Sequence, residues 1–464
     1  MTRREFMAGA TLAGAAGITP GVFASGGAKL NRDATMALFD KYRDETEARV
    51  SAGIEKNRKG DFSLRVVAAD GRPFDRAHVK VTQVRHDFKY GANLFLLGEI
   101  ETERREAIYE EACLRAFNCA TLAFYWDGLE PEQGKPRYGV DSPRLYRRPP
   151  PDLSVDWCVR HGIEAKAHCL YYPKYQPDWV KSSVAREKEL LEKRFRELSE
   201  RYASRVPIWE VTNECFLNGP WEPALYLEPD MIEWVYKLAA RYFPNNRLIA
   251  NDDFWHRARE FLGTRSDYYM MVENALLKGC RIDGVGLQLH LFKRAETFAE
   301  DTRYILDPHR MFAILDAFAH LKRPLHMTEL TIPAFSDDAR DETLQAELLR
   351  TLYSIWFSHP AMEGIIYWNV VDGYAAGERG DMTSKQNAYY GGLLRYDMTP
   401  KPAYEAIREL FGRRWRTEFE RDSGPTCAFR GFYGTYRVEA TVNGRSAVRE
   451  IRFSRGAESA EITV

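Results

Sequence analysis

Apolar residues return along this chain with two different periods, and the points where the period changes divide it into segments. Between residues 25 and 60, Leu30, Met36, Leu38, Phe39 and Tyr42 recur at helical spacing with charges between them, and Gly60 ends the run. Residues 61–88 alternate instead. Leu64, Val66 and Val67 precede an Asp-Gly turn at Asp70-Gly71, and Val79, Val81 and Val84 follow it, the pattern of a β-hairpin. From residue 89 short apolar runs alternate with longer helical stretches. The runs cover 89–95, 117–124, 163–172, 207–213, 247–253, 283–291, 323–330 and 364–371, and helical patterns such as 183–203 and 342–358 lie between them. Eight such strand–helix units across 89–414 predict an α/β fold, a (β/α)8 TIM barrel. Past KPAYEAIRELFGRRW (401–415) the short alternation resumes, with Gly434 and an Asn-Gly turn at 443–444. The C-terminal β segment, 415–464, is too short for a core of its own. It is expected to join the hairpin at 61–88 in one small accessory β-sandwich.

The first residues break both patterns. Arg3 and Arg4 precede Phe6 and Met7, an Ala/Gly-rich stretch and then Val22-Phe23-Ala24, a small-residue cleavage pattern. Residues 1–24 resemble a twin-arginine export signal, which places the mature protein in the periplasm or outside the cell. No later stretch is long and apolar enough to span a membrane.

Composition changes the picture little. Apolar residues make up 45% of 464, enough for a large core, and aromatics reach 13%. Flat aromatic faces stack on sugar rings, and they also fill cores. The net charge of −1 offers no single-sign field for nucleic acid. The seven cysteines (113, 119, 158, 169, 215, 280, 427) show no metal-finger spacing and read as buried thiols, although export would permit one disulfide. Arg147-Arg148, before three prolines, reads as a solvated charge run, and Trp126 reads as core.

Chemistry in a barrel sits at the carboxyl ends of its strands. The polar residues there are Asn93, His168, Asn213 and Glu214, Asn251 to Asp253, Gln288 and His290, Glu329, and Trp368 with Asn369. Glu214 and Glu329 close the fourth and seventh strands. Two carboxyl groups flanking one bond are what glycoside hydrolysis requires, one protonated and one ionised.

Six motifs make the pattern more specific: WDGLEPEQGKPRY, WEVTNE, LIANDD, DGVGLQLHL, LHMTELTI and KPAYEAI. In this order they resemble the signature stretches of glycoside hydrolase family 10, the xylanase-like retaining barrel hydrolases, over about residues 88–411. The resemblance implies Glu214 as general acid/base and Glu329 as nucleophile. It implies that Asn213 reads the sugar 2-hydroxyl, His290 orients Glu329, Gln288 supports it, His168 faces the sugar, and Trp368 lies under it. It implies no cofactor and no metal, with Asn251, Asp252 and Asp253 as scaffolding. The expected partner is a polysaccharide or oligosaccharide, acted on by a monomer.

The sequence also departs from the family. Thr121, Leu122 and Tyr125 stand where that family carries Glu, Asn and Lys that grip the sugars. Tyr172 replaces a Trp, Pro173 a His, and Ala376 a second Trp. The resemblance therefore implies endo-1,4-β-xylanase activity, with two alternatives: hydrolysis of a different or decorated β-glycan, and glycan binding without turnover. Tyr125 and Tyr172 are expected to face the substrate.

Overall fold

Asn31 opens the first helix by accepting the Ala34 amide at 3.0 Å, an N-cap that satisfies an otherwise orphaned donor. The computed structural model describes residues 30–215, 223–253 and 261–464. The export signal expected at 1–24 lies outside the described residues. Two helices, Arg32–Lys41 and Arg43–Arg58, run into β1, Lys59–Val67. The second packs so closely on the helix Ala339–Ser358 that a Cβ on Gly53 would sit 2.7 Å from the Ser358 carbonyl oxygen.

Eight parallel strands close a barrel: β3 (Lys89–Asn93), β4 (Cys119–Ala123), β5 (Glu164–Tyr171), β6 (Ile208–Asn213), β7 (Arg247–Asp252), β8 (Gly284–His290), β9 (Leu325–Thr331) and β10 (Met362–Tyr367), with β10 pairing back onto β3. Helices alternate with them, and the expected TIM barrel is the observed one. Its strands are buried on both faces, which is why they read as nearly continuous apolar runs.

The accessory domain is a sandwich of two sheets, with strand orders β12-β1-β15 and β11-β2-β13-β14. Here β2 is Ala77–His86, β11 Glu418–Ser423, β12 Thr426–Phe432, β13 Gly434–Val442, β14 Arg445–Phe453 and β15 Ser459–Thr463. Both ends of the chain thus build both sheets. The expected hairpin at 61–88 is corrected. β1 and β2 do not pair with each other; a Val67–Pro73 bridge closes the turn after β1, and each strand belongs to a different sheet. Both strands carry an apolar face, Phe62, Leu64 and Val66 on one and Val79 and Val81 on the other. Placing them in facing sheets buries both faces against each other, which a flat hairpin cannot do.

Arg58 ties the parts together. Its guanidinium donates to the Phe357 carbonyl, to His359 O at 2.5 Å and to Met362 O at 2.7 Å. Burial pulls its pKa down to about 9, because carbonyls and not carboxylates receive it. All seven cysteines are buried thiols, and no helix among the described residues is long and apolar enough to cross a membrane. Arg58→Ala strands three carbonyls where helix, barrel and sandwich meet. It is expected to cost about 2–4 kcal/mol of stability in chemical denaturation.

Candidate active site

Two irregularities in strand pairing decide which side chains enter the barrel mouth. On β6, Trp209 faces outward onto the Phe124 and Phe243 rings. Glu210 faces inward. The register against β7 then slips between Glu210 and Thr212, and Thr212 faces outward again, its hydroxyl 3.0 Å from Tyr236 OH. The slip returns Asn213 to the interior three residues after Glu210, a spacing a regular strand forbids. Glu214 follows with φ of 47°, which swings it off the strand end while its amide donates to Asn251 O at 3.2 Å. On β9 a second slip, opposite Leu287 and Gln288 of β8, lets the adjacent Thr328 and Glu329 both reach Asn251.

Asn251, near the end of β7, organises what results. Its Nδ2 lies 2.7 Å from Asn213 Oδ1 and 3.0 Å from Glu329 Oε1, and its Oδ1 accepts from Thr328 Oγ1. Gly286 makes room for that amide: a Cβ there would lie 2.7 Å from Asn251 Oδ1. Gln288 Nε2 reaches the same two acceptors, Asn213 Oδ1 at 3.0 Å and Glu329 Oε1 at 3.1 Å. Both donors end on Asn213 Oδ1, so its Nδ2 faces away from them. Glu329 Oε2 is met by His290 Nε2 at 3.1 Å, and His290 Nδ1 lies 2.9 Å from Thr331 Oγ1. Burial pulls the His290 pKa down, so the ring is neutral. When Glu329 is ionised its carboxylate needs a donor, which places the proton on Nε2 and makes Thr331 the donor to Nδ1. Phe292 stacks parallel on the imidazole with centroids 4.9 Å apart.

Beneath Glu329 lies a buried ionic chain that the strand-end reading missed. Lys166 Nζ and His168 Nδ1 both bind the Glu210 carboxylate, and all three residues are almost completely buried. Burial pushes the Glu210 carboxyl up, but Lys166 and His168 overcome it and hold it down to about 2. Glu329 lacks an equally close cation. Burial pushes its carboxyl up to about 8, His168 and Lys166 oppose this, and Glu214 and Glu210 add to it. His168, Glu210 and Glu329 are close enough to hold a cation together. Their facing atoms are already engaged, however: Glu210 by Lys166 and His168, and Glu329 Oε1 by Asn251 and Gln288. The donor set fits an anion-stabilising floor better than a metal site.

Aromatic residues form the wall. Tyr125, Tyr172 and Trp368 cluster with Phe95, and Tyr175 packs beside them. The Tyr125 ring meets His168 edge-on at 4.9 Å, and Trp368 meets His168 at 5.2 Å. Tyr172 OH donates to Glu214 Oε2, and burial holds the phenol well above its usual range, so the proton stays on the tyrosine. The structure therefore gathers Glu214, Glu329, Asn213, His168, His290, Gln288, Trp368, Tyr172 and Tyr125 at one barrel mouth. It corrects the solvated reading of Arg147-Arg148. Arg147 is buried and donates to Tyr374 O at 2.7 Å, and the Arg148 guanidinium lies 3.7 Å above the Tyr125 ring. Phe95, Lys166 and Glu210 went unnoticed. Glu210 is the register partner of His168, and Lys166 lies two residues before His168 on the same strand, a signal that needs the strand order to be visible.

A profile of glycosyl hydrolase family 10 matches residues 97–410. Endo-1,4-beta-xylanase B of Thermotoga neapolitana is 26% identical over 339 residues, which cover 70% of this chain and 87% of that protein. Anti-sigma-I factor RsgI6 of Acetivibrio thermocellus is 24% identical over 418 residues, 88% of this chain and 49% of its own length. The chain spans about half the length, or less, of several relatives that it matches. Among solved structures, xylanase 10B from Thermotoga petrophila in complex with xylobiose is 22% identical with a TM-score of 0.56, covering 71% of this chain and 95% of that one. That likeness is one of fold.

Glu329 is more protonated in the folded chain than in an unfolded one, whose glutamates titrate near about 4.3. Its burial therefore costs nothing at low pH and progressively more as pH rises from about 5 to about 8. Glu329→Gln keeps the size and an acceptor oxygen for Asn251 and Gln288 but removes the titration. Its melting temperature is expected to exceed that of the unaltered protein by several degrees at pH 8, with the gap closing towards pH 5. Lys166→Met leaves Glu210 buried without its ammonium, and is expected to cost about 3–5 kcal/mol in chemical denaturation. Adding Glu210→Gln should recover a substantial part of that loss.

Proposed function

The chain belongs to glycosyl hydrolase family 10, and on that premise we propose that it is a retaining hydrolase of β-linked polysaccharides or oligosaccharides, xylanase-like, with Glu214 as acid/base and Glu329 as nucleophile. One observation carries the reading. Two carboxyl groups stand at the ends of β6 and β9, one enclosed by three donors and the other, half-buried, bonded to a phenol.

The chemistry follows from those surroundings. Burial and the Glu214 charge raise Glu329, which therefore carries a proton up to about pH 8. Substrate decides where that proton sits. Asn251, Gln288 and His290 favour the charged form of Glu329 as positive charge builds on the anomeric carbon, and the proton goes to Glu214. Glu214 gives it to the leaving oxygen as the glycosidic bond breaks and a Glu329 oxygen bonds to carbon. Water then attacks that carbon, Glu214 takes its proton, and the ester bond to Glu329 breaks. Asn213 Nδ2, left over by the contacts to its oxygen, is placed for the sugar 2-hydroxyl. His168 and Trp368 border the ring, and the step needs no cofactor. Thr121, Leu122 and Tyr125, with an aromatic wall in place of a charged grip, favour a different or decorated β-glycan over plain xylan.

A second reading is glycan binding without turnover, favoured by a relative that is named an anti-sigma factor. Export by the twin-arginine route is also proposed. It carries folded proteins, and seven buried thiols suit a chain that folds before leaving a reducing compartment.

Product release from a panel of β-glycans, with proton NMR of the first-formed anomer, tests the hydrolase. The β-anomer is expected first. Glu329→Ala should lower kcat by about 10³-fold or more. Glu214→Ala should lose most with poor leaving groups and far less with a dinitrophenyl leaving group, with azide restoring turnover. An α-anomer first, or full activity in Glu329→Ala, would refute the assignment. Changing Arg3 and Arg4 to lysine should leave the precursor in the cytoplasm.

A further inference from the structure

The wall behind Tyr125 carries cations that the protein does not neutralise. Arg137 donates to the carbonyls of Gly128, Pro143 and Arg148. Arg147 donates to Tyr374 O, and Arg194 to Phe124 O, Cys169 O and Leu170 O. Arg148 donates to Arg147 O at 3.0 Å and otherwise lies on rings, 3.7 Å from the Tyr125 centroid and 5.4 Å from that of Tyr175. Among the described residues none of these four guanidiniums is ion-paired with a carboxylate. The carboxyls in electrostatic reach are Asp127, Glu130 and Glu99. Burial pushes Asp127 and Glu99 up towards the neutral form, and the Glu130 carboxylate is held by Trp126 Nε1 and Gly134 N. The imbalance is positive on any count, and a water-poor cleft focuses such a field.

Arg148 is the partly exposed member of the four, and it is built into place. Its stem lies along Gly128, where a Cβ would come within 2.9 Å of its Cδ. The backbone before it turns at Arg147, φ 59°, and three prolines follow. Stacking on a tyrosine face leaves the in-plane N–H donors of a guanidinium free to meet a planar oxyanion with two parallel hydrogen bonds. Tyr125, on which it rests, is in edge contact with His168. The guanidinium therefore stands one ring removed from the reacting centre.

We propose that Arg148 binds the carboxylate of a uronic acid unit carried by the substrate beside the sugar that is cleaved. This rests on the hydrolase reading and gives it a substrate class: a β-glycan bearing uronate, recognised through Arg148 with Tyr125 and Tyr175 as its support.

The test compares kcat/KM for xylo-oligosaccharides with and without a glucuronate branch, in the unaltered protein and in Arg148→Ala, Arg148→Gln and Arg148→Lys. A preference of about tenfold or more for the branched compound is expected, falling with added salt, abolished by Ala and Gln and partly kept by Lys. Equal kcat/KM on both compounds, or a preference that survives Arg148→Gln, overturns the proposal. Should neither compound be cleaved, titration calorimetry of Glu329→Gln with the branched oligosaccharide, with and without Arg148→Gln, separates the two ideas. Weaker binding in the double variant upholds the Arg148 site while the hydrolase reading fails, and equal binding refutes the Arg148 site.

Discussion

The ion pair of Lys166 with Glu210 is the constraint on which the rest of the barrel mouth rests. Charges this deep are tolerated only when they are matched. Lys166 binds one oxygen of Glu210 and His168 the other, so the innermost carboxylate is settled and its neighbours are free to be unsettled. Glu329, one layer above, receives amide and imidazole donors but no full cation of its own. That difference holds one carboxyl low and pushes the other high within a few ångströms. Glu329 can then carry a proton at ordinary pH, while Glu210 stays ionised.

Much of this was legible in the amino-acid sequence because barrel strands are short, bounded and closed by polar residues. Asn213, Glu214, Gln288, His290 and Glu329 were readable for that reason. Lys166 and Glu210 were not, because each looks like an ordinary polar interruption of an apolar run until the strands are set side by side. Parity misled as well. Glu210 and Asn213 cannot share a face in a regular strand, nor can Thr328 and Glu329, and the slips that allow both are written in no local motif. Arg148 looked solvated because Tyr125 lies far back in the same long loop after β4 and Tyr175 comes from the loop after β5.

The accessory sandwich shows the same limit on a larger scale. Alternation in 61–88 was read correctly as strand, and the Asp-Gly turn was real. The pairing was not readable, because two adjacent strands with apolar faces can lie side by side or face to face, and only the missing partners decide. Those partners lie beyond the barrel in sequence: β12 and β15 for β1, β11 and β13 for β2. Arg58 stands where this sandwich, the N-terminal helices and the barrel meet, and three carbonyls take its charge.

That arrangement has a bearing on how the chain is made. Synthesis delivers β1 and β2 first, then the whole barrel, and only then the strands that pair with them. A ribosome that stops early leaves a complete barrel attached to two apolar ribbons with open edges, the kind of surface chaperones and proteases seek. The sandwich can close only when the last strands have left the ribosome. Its closure thus acts as a seal on the barrel, formed after it and from strands on either side of it.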